Sequence, residues 1–191
     1  MKQNENVAKT KTETNLGSGV FIEPAVLAND VYRDTSNNPL YGWYRIFSTH
    51  KVTMRGYFGA VYVKAGDSPN AAVIAHRGTW DIADLVADIS ILRGKFFAQA
   101  GEAMAFSDEW TEQLYLRFRH VNDEIGYIES RKDFFRRFMI AHTGHSLGAV
   151  LAEFCGAFTQ VYTFENPGSR EIWEDEINRM QLVSCQTLTL G

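Results

Sequence analysis

The chain has 191 residues, with hydrophobic side chains at 45% and charged ones at 22%, enough for one substantial core and the balance of a soluble globular domain. A formal net charge of −4 supplies neither the basic field that nucleic acid requires nor a solvating acidic block, so no nucleic-acid partner is expected. No run is long enough to span a bilayer. Residues 1–15 are polar and lack the apolar stretch of a secretory signal, which points to the cytoplasm and leaves signal-independent export open.

Residues 1–18 are almost free of apolar side chains and read as a disordered leader ahead of an ordered domain over 19–191. A short helix is expected from Pro24 to Tyr32, ended by Ser36-Asn37-Asn38-Pro39. Two strand-like runs follow. Gly56 to Lys64 is aromatic and β-branched, and Ala71 to His76 is nearly all apolar, the pattern of a strand covered on both faces. The turn residues Ala65 to Asn70 join them as an antiparallel pair.

The period then changes. Ile82, Leu85, Val86, Ile89 and Leu92 recur at helical spacing, with Asp81 as cap and Asp84 on the first turn. Asp81, Asp84 and Asp88 share a face, but no loop of oxygen ligands accompanies them; a solvated face suited to the helix dipole is the better reading, and no metal or cofactor is expected. A second helical pattern runs through Trp110, Leu114, Phe118, Val121, Ile125 and Ile128, weakened by Gly126. Phe96, Phe97 and Phe106 suit either an acyl cleft or ordinary packing. Arg131, Lys132, Arg136 and Arg137 surround Phe134 and Phe135. That cluster suits transient contact with anionic headgroups, or simply a solvated helix end.

An apolar strand over Phe138 to Thr143 leads into Gly144-His145-Ser146-Leu147-Gly148. An Ala/Leu-rich helix is expected from Leu147 to Phe158 and a last clear strand from Gln160 to Phe164. Cys155 falls in that helix as a small buried hydrophobe, and with Cys185 it forms neither a disulfide framework nor a metal spacing. Alternating strands and helices of these lengths predict an α/β domain with a mainly parallel sheet.

Gly144-x-Ser146-x-Gly148 carries the strongest chemical signal. A sharp strand-to-helix turn holds a serine hydroxyl at the top of a sheet, beside the free N–H groups of a helix N-terminus. Larger side chains two positions either side would collide with neighbouring backbone. Together with Ala75-His76-Arg77-Gly78-Thr79-Trp80-Asp81, this elbow resembles the fungal-type (class 3) lipase family of α/β-hydrolases, over roughly residues 40–170. The resemblance implies that Ser146 is the nucleophile, that the N–H groups of Leu147 and Thr79 form the oxyanion hole, and that the substrate is a lipid or small ester. His76 departs from the aromatic usual at its position and is not read as catalytic.

In that family the acid and the histidine follow the nucleophile. Here His50, His76, His120, His142 and His145 all precede Ser146, and residues 147–191 contain none. The resemblance therefore implies a C-terminally incomplete member whose last strands are missing or truncated, Leu182 to Leu190 falling where the next strand would begin. Three accounts stay open: a truncated chain, a non-catalytic pseudo-hydrolase, or recruitment of an upstream histidine. Glu165, at the end of the strand after the nucleophile helix, is a weak candidate acid and more simply a solvated carboxylate. His145 and His142 read as structural, the latter buried and hydrogen-bonded.

Overall fold

The computed structural model describes residues 22–33, 39–49, 53–66, 69–78, 89–122, 127–128, 130–157 and 159–167. The expected leader, Thr79, the Asp81–Asp88 face and the Leu182–Leu190 segment lie outside them.

A five-stranded sheet forms the centre, in the order β1 (Trp43–Ser48), β2 (Gly59–Lys64), β3 (Ala71–His76), β6 (Met139–His145), β7 (Gln160–Phe164). The first three strands are antiparallel, and the turn residues between Lys64 and Ala71 predict the pairing of β2 with β3. β3, β6 and β7 are parallel, and helices flank the sheet, giving an α/β-hydrolase-like fold. The middle strand β3 is buried along its whole length, which is why its sequence shows no polar alternation.

Helix α1 (Ile22–Asp30) covers one face. Leu27 and Val31 pack there against Tyr62, Val73 and Ala141. Polar anchors fix it further: Trp43 Nε1 and Lys64 Nζ both donate to Glu23, at 2.8 and 2.9 Å, and the buried Tyr62 hydroxyl donates to Asp30 at 2.8 Å. Thr143 Oγ1 lies 3.2 Å from the Pro24 carbonyl and 2.9 Å from that of Tyr162, tying α1 to β6 and β7.

The other face carries α2 (Ile89–Phe118) and α4 (Leu147–Cys155). Phe96, Ala103 and Phe106 of α2 and Leu147, Val150 and Leu151 of α4 bury against Val61, Ile74 and Ile140. Between them lie a two-stranded ribbon, β4 (His120–Asn122) with β5 (Tyr127–Ile128), and α3 (Arg131–Arg137), capped by Ser130 Oγ accepting from Asp133 N at 3.2 Å.

Several expectations are corrected. The pattern through Trp110 and Leu114 is helical only to Phe118; beyond it Val121 and Ile128 lie on paired strands. Asn122, Asp123 and Gly126 are turn formers that favour chain reversal over a continued helix. Ile89 and Trp110, placed on two helices, belong to the single 30-residue α2. The strand expected from Gly56 begins at Gly59, and β1 was not predicted despite its aromatic and β-branched content. The helix expected to reach Phe158 ends at Cys155, its cap Gly156 donating back to Ala152 at 2.8 Å. The Arg131–Arg137 segment is a helix of its own, with Phe134 buried and Phe135 partly exposed. Phe96 and Phe106 are core residues, the ordinary packing that was one of their two readings. No helix among the described residues is long and apolar enough to cross a membrane.

Candidate active site

Ser146 sits at the junction of β6 and α4 with φ 57° and ψ −126°. Non-glycine residues rarely adopt positive φ, and such strain persists only where the surroundings over-determine it. The surroundings here are backbone. A Cβ on Gly144 would collide with the Gly148 carbonyl, and one on Gly148 would collide with the His76 carbonyl and lie 2.8 Å from Gly78 N. A Cβ on Gly78 would meet the His145 carbonyl and stand 3.1 Å from Gly148 N. Three glycines thus let the end of β3, the end of β6 and the first turn of α4 interlock without side chains between them.

The neighbouring strand closes the turn: Ser146 N donates to the Phe164 carbonyl of β7 at 3.0 Å, and Ala149 N donates to the Ser146 carbonyl at 2.9 Å. Leu147 is the first helical residue, so its N–H has no acceptor within the helix. Its side chain is fully buried. Ser146 is only 3% exposed, and among the described residues no side chain hydrogen-bonds its hydroxyl.

The described histidines divide between the faces of the sheet. On the α2/α4 face, His76 Nδ1 lies 3.1 Å from the Tyr57 hydroxyl and His76 Nε2 lies 3.0 Å from His142 Nδ1. The two rings stack at 5.3 Å with 9° between planes. With both rings neutral, the chain runs in either of two directions: Tyr57 O–H to His76 and His76 N–H to His142, or His142 N–H to His76 and His76 N–H to the Tyr57 oxygen. Burial, with His142 adding to it, drives His76 well below its usual pKa, and burial lowers His142 to about 4. Burial raises Tyr57 well above the ordinary phenol, with smaller contributions from Cys155 and Glu102.

On the α1 face, His145 Nε2 lies 2.9 Å from Glu165 Oε2. Its Nδ1 and its carbonyl oxygen each lie 3.4 Å from the Tyr32 hydroxyl. Glu165 is 74% exposed and has φ 48°. The structure therefore brings Glu165 to His145, not to Ser146, and both ring nitrogens of His145 face other partners. Tyr32 was not singled out from sequence; its closeness to the elbow depends on where α1 docks. The side chains of His50 and His120 lie outside the described residues, as does Thr79. Cys155 is free, and burial pushes its thiol to about 12, as an inert structural cysteine requires.

The sheet order and its flanking helices define an α/β-hydrolase-like fold. Among solved structures it is similar to a Rhizomucor miehei triacylglyceride lipase at 15% identity and TM-score 0.47, covering 78% of this chain and 62% of that one. The native lipase–propeptide complex from the same organism gives 16% and 0.41, covering 65% and 42%. A fungal lipase–inhibitor complex gives 20% and 0.38, covering 61% and 41%. The chain thus spans less than two thirds of each of these lipases, and at such identities the likeness concerns the fold alone. No protein-family model matches the sequence, and no curated protein does.

Proposed function

We propose that this chain carries a lipase- or esterase-like serine hydrolase site, with Ser146 as nucleophile. The observation that carries the reading is the strained backbone of Ser146 at the end of β6, locked by glycines against the end of β3. Such a bend stores strain to present a hydroxyl beside a helix N-terminus. In the proposed reaction Ser146 Oγ bonds to the ester carbonyl carbon, and the resulting oxyanion accepts from the N–H groups of Leu147 and Thr79. Collapse of the tetrahedral species breaks the carbonyl–alkoxide bond and releases an alcohol. Water then cleaves the acyl-Ser146 ester to a carboxylic acid. A base must take the serine proton and deliver it to the departing alkoxide. The substrate class is a lipid or small carboxylic ester.

A second reading has its own support. His76 and His142 are occupied with each other and Tyr57, and His145 with Glu165 and Tyr32. Both ring nitrogens of His76 and of His145 are engaged, and among the described residues no histidine hydrogen-bonds the Ser146 hydroxyl as a general base would. A pseudo-hydrolase that keeps the elbow for binding fits that pattern. Turnover of a short-chain p-nitrophenyl ester separates the two. Continuous release of p-nitrophenol, abolished in Ser146→Ala, supports the hydrolase. Wild-type protein no faster than Ser146→Ala supports the pseudo-hydrolase.

A further inference from the structure

We propose that Tyr32 is a positioning residue for the Ser146 elbow, its hydroxyl setting the spacing between the end of β3 and the end of β6. This rests on the reading of Ser146 as a nucleophile. The Tyr32 oxygen accepts from Gly78 N at 3.0 Å and lies 3.4 Å from both the carbonyl oxygen and Nδ1 of His145. One hydroxyl thus bridges Gly78, two residues past β3, and His145, which precedes the serine.

The packing requires an atom at that point. A Cβ on Gly78 would stand 2.7 Å from the Tyr32 hydroxyl and collide with the His145 carbonyl, so glycine is the one residue that lets tyrosine, β3 and β6 meet. The Tyr32 ring also sits edge-on to the His145 imidazole, with centroids 6.2 Å apart. His145 is in turn held by Glu165 just past β7. A continuous polar chain therefore crosses three strand ends: Gly78 after β3, His145 on β6 and Glu165 after β7. Tyr32 is partly buried, and burial raises its pKa, so it remains a neutral donor and acceptor at ordinary pH.

Deleting this hydroxyl leaves α1 in place. Leu27 and Val31 remain buried, and Glu23, Asp30 and the Pro24 carbonyl keep their partners. What changes is local: Gly78 N loses its acceptor and the elbow loses its brace. Tyr32 reaches the elbow through Gly78 N and His145, so its effect is on geometry and not on ligand affinity.

The test is the kinetics of covalent labelling by a fluorophosphonate, comparing wild type with Tyr32→Phe across probe concentrations, alongside the Gly78 amide resonance in 15N-glycine-labelled protein. The expected result is a maximal labelling rate lower by about tenfold or more, the scale of a small misplacement of reacting groups. The half-saturating concentration stays unchanged, and Gly78 shifts while glycines remote from the elbow do not. A purely structural tyrosine would not produce that split. Labelling at the wild-type rate, a change confined to half-saturation, or a slowed rate with Gly78 unmoved would each overturn the role of Tyr32 and leave Ser146 as nucleophile. Folded wild-type protein that never labels would instead overturn the nucleophile, and this inference with it.

Discussion

The two sides of the sheet treat histidine differently. On the α2/α4 side, His76 and His142 are almost fully enclosed and kept neutral by burial, linked to one another and to Tyr57. On the α1 side, His145 is partly exposed and joined to Glu165, which is largely in solvent. The strand pleat makes the division, because successive residues of β6 point to opposite faces. Nearness in sequence to Ser146 therefore says little about what a histidine can do. Burial decides it: the enclosed pair is core, and the exposed one braces strand ends.

The largest effect is expected where the two sides meet. Gly148→Ala places a methyl group against the His76 carbonyl, and backbone cannot yield as a flexible side chain does. A loss of about 3 kcal/mol, the upper end for overpacking, is expected from denaturant midpoints. A loss under about 0.5 kcal/mol, within the range of ordinary surface substitutions, would show that the interlock is loose.

His142→Leu tests the enclosed side. It removes the partner of His76 Nε2, and an orphaned buried polar group costs about 1–3 kcal/mol. Glu165→Gln tests the open side, where an exposed pair contributes under about 1 kcal/mol. Equal losses in the two variants would erase the contrast between the faces.

The same contrast has a pH signature. The folded-state pKa values of His76 and His142 lie below the ordinary 6.5, that of His142 at about 4. Below 6.5 the unfolded chain therefore binds protons that the folded chain refuses, and stability falls with acid. The contribution is fully present above 6.5 and is lost as pH drops from there through about 4. Thermal melts over that range should flatten in a His76→Leu/His142→Leu double variant.

Much of this was legible in the residues. The unbroken apolar run of Ala71 to His76 marked a doubly covered strand, and Gly144-x-Ser146-x-Gly148 marked the bend because only glycine tolerates such close backbone. Gln160 to Phe164 forms the strand its sequence predicts. The misreadings have local causes. Val121 and Ile128 fell into register with a helical stripe by spacing alone, and the turn formers between them outweighed that stripe. Trp43–Ser48 is an edge strand, partly exposed along most of its length, so it lacks the dense apolar run that identified β3. Tyr32 and Glu165 could not be placed because their partners are far away in sequence, 113 residues separating Tyr32 from His145. A hydroxyl at the end of one helix carries no sign of which strand end it will reach.

The most direct test is mass spectrometry of the intact folded chain after incubation with a fluorophosphonate, followed by peptide mapping. A single adduct is expected, on the Ser146 hydroxyl, absent in Ser146→Ala. A folded wild-type chain with no adduct, or with one on another residue, would contradict it.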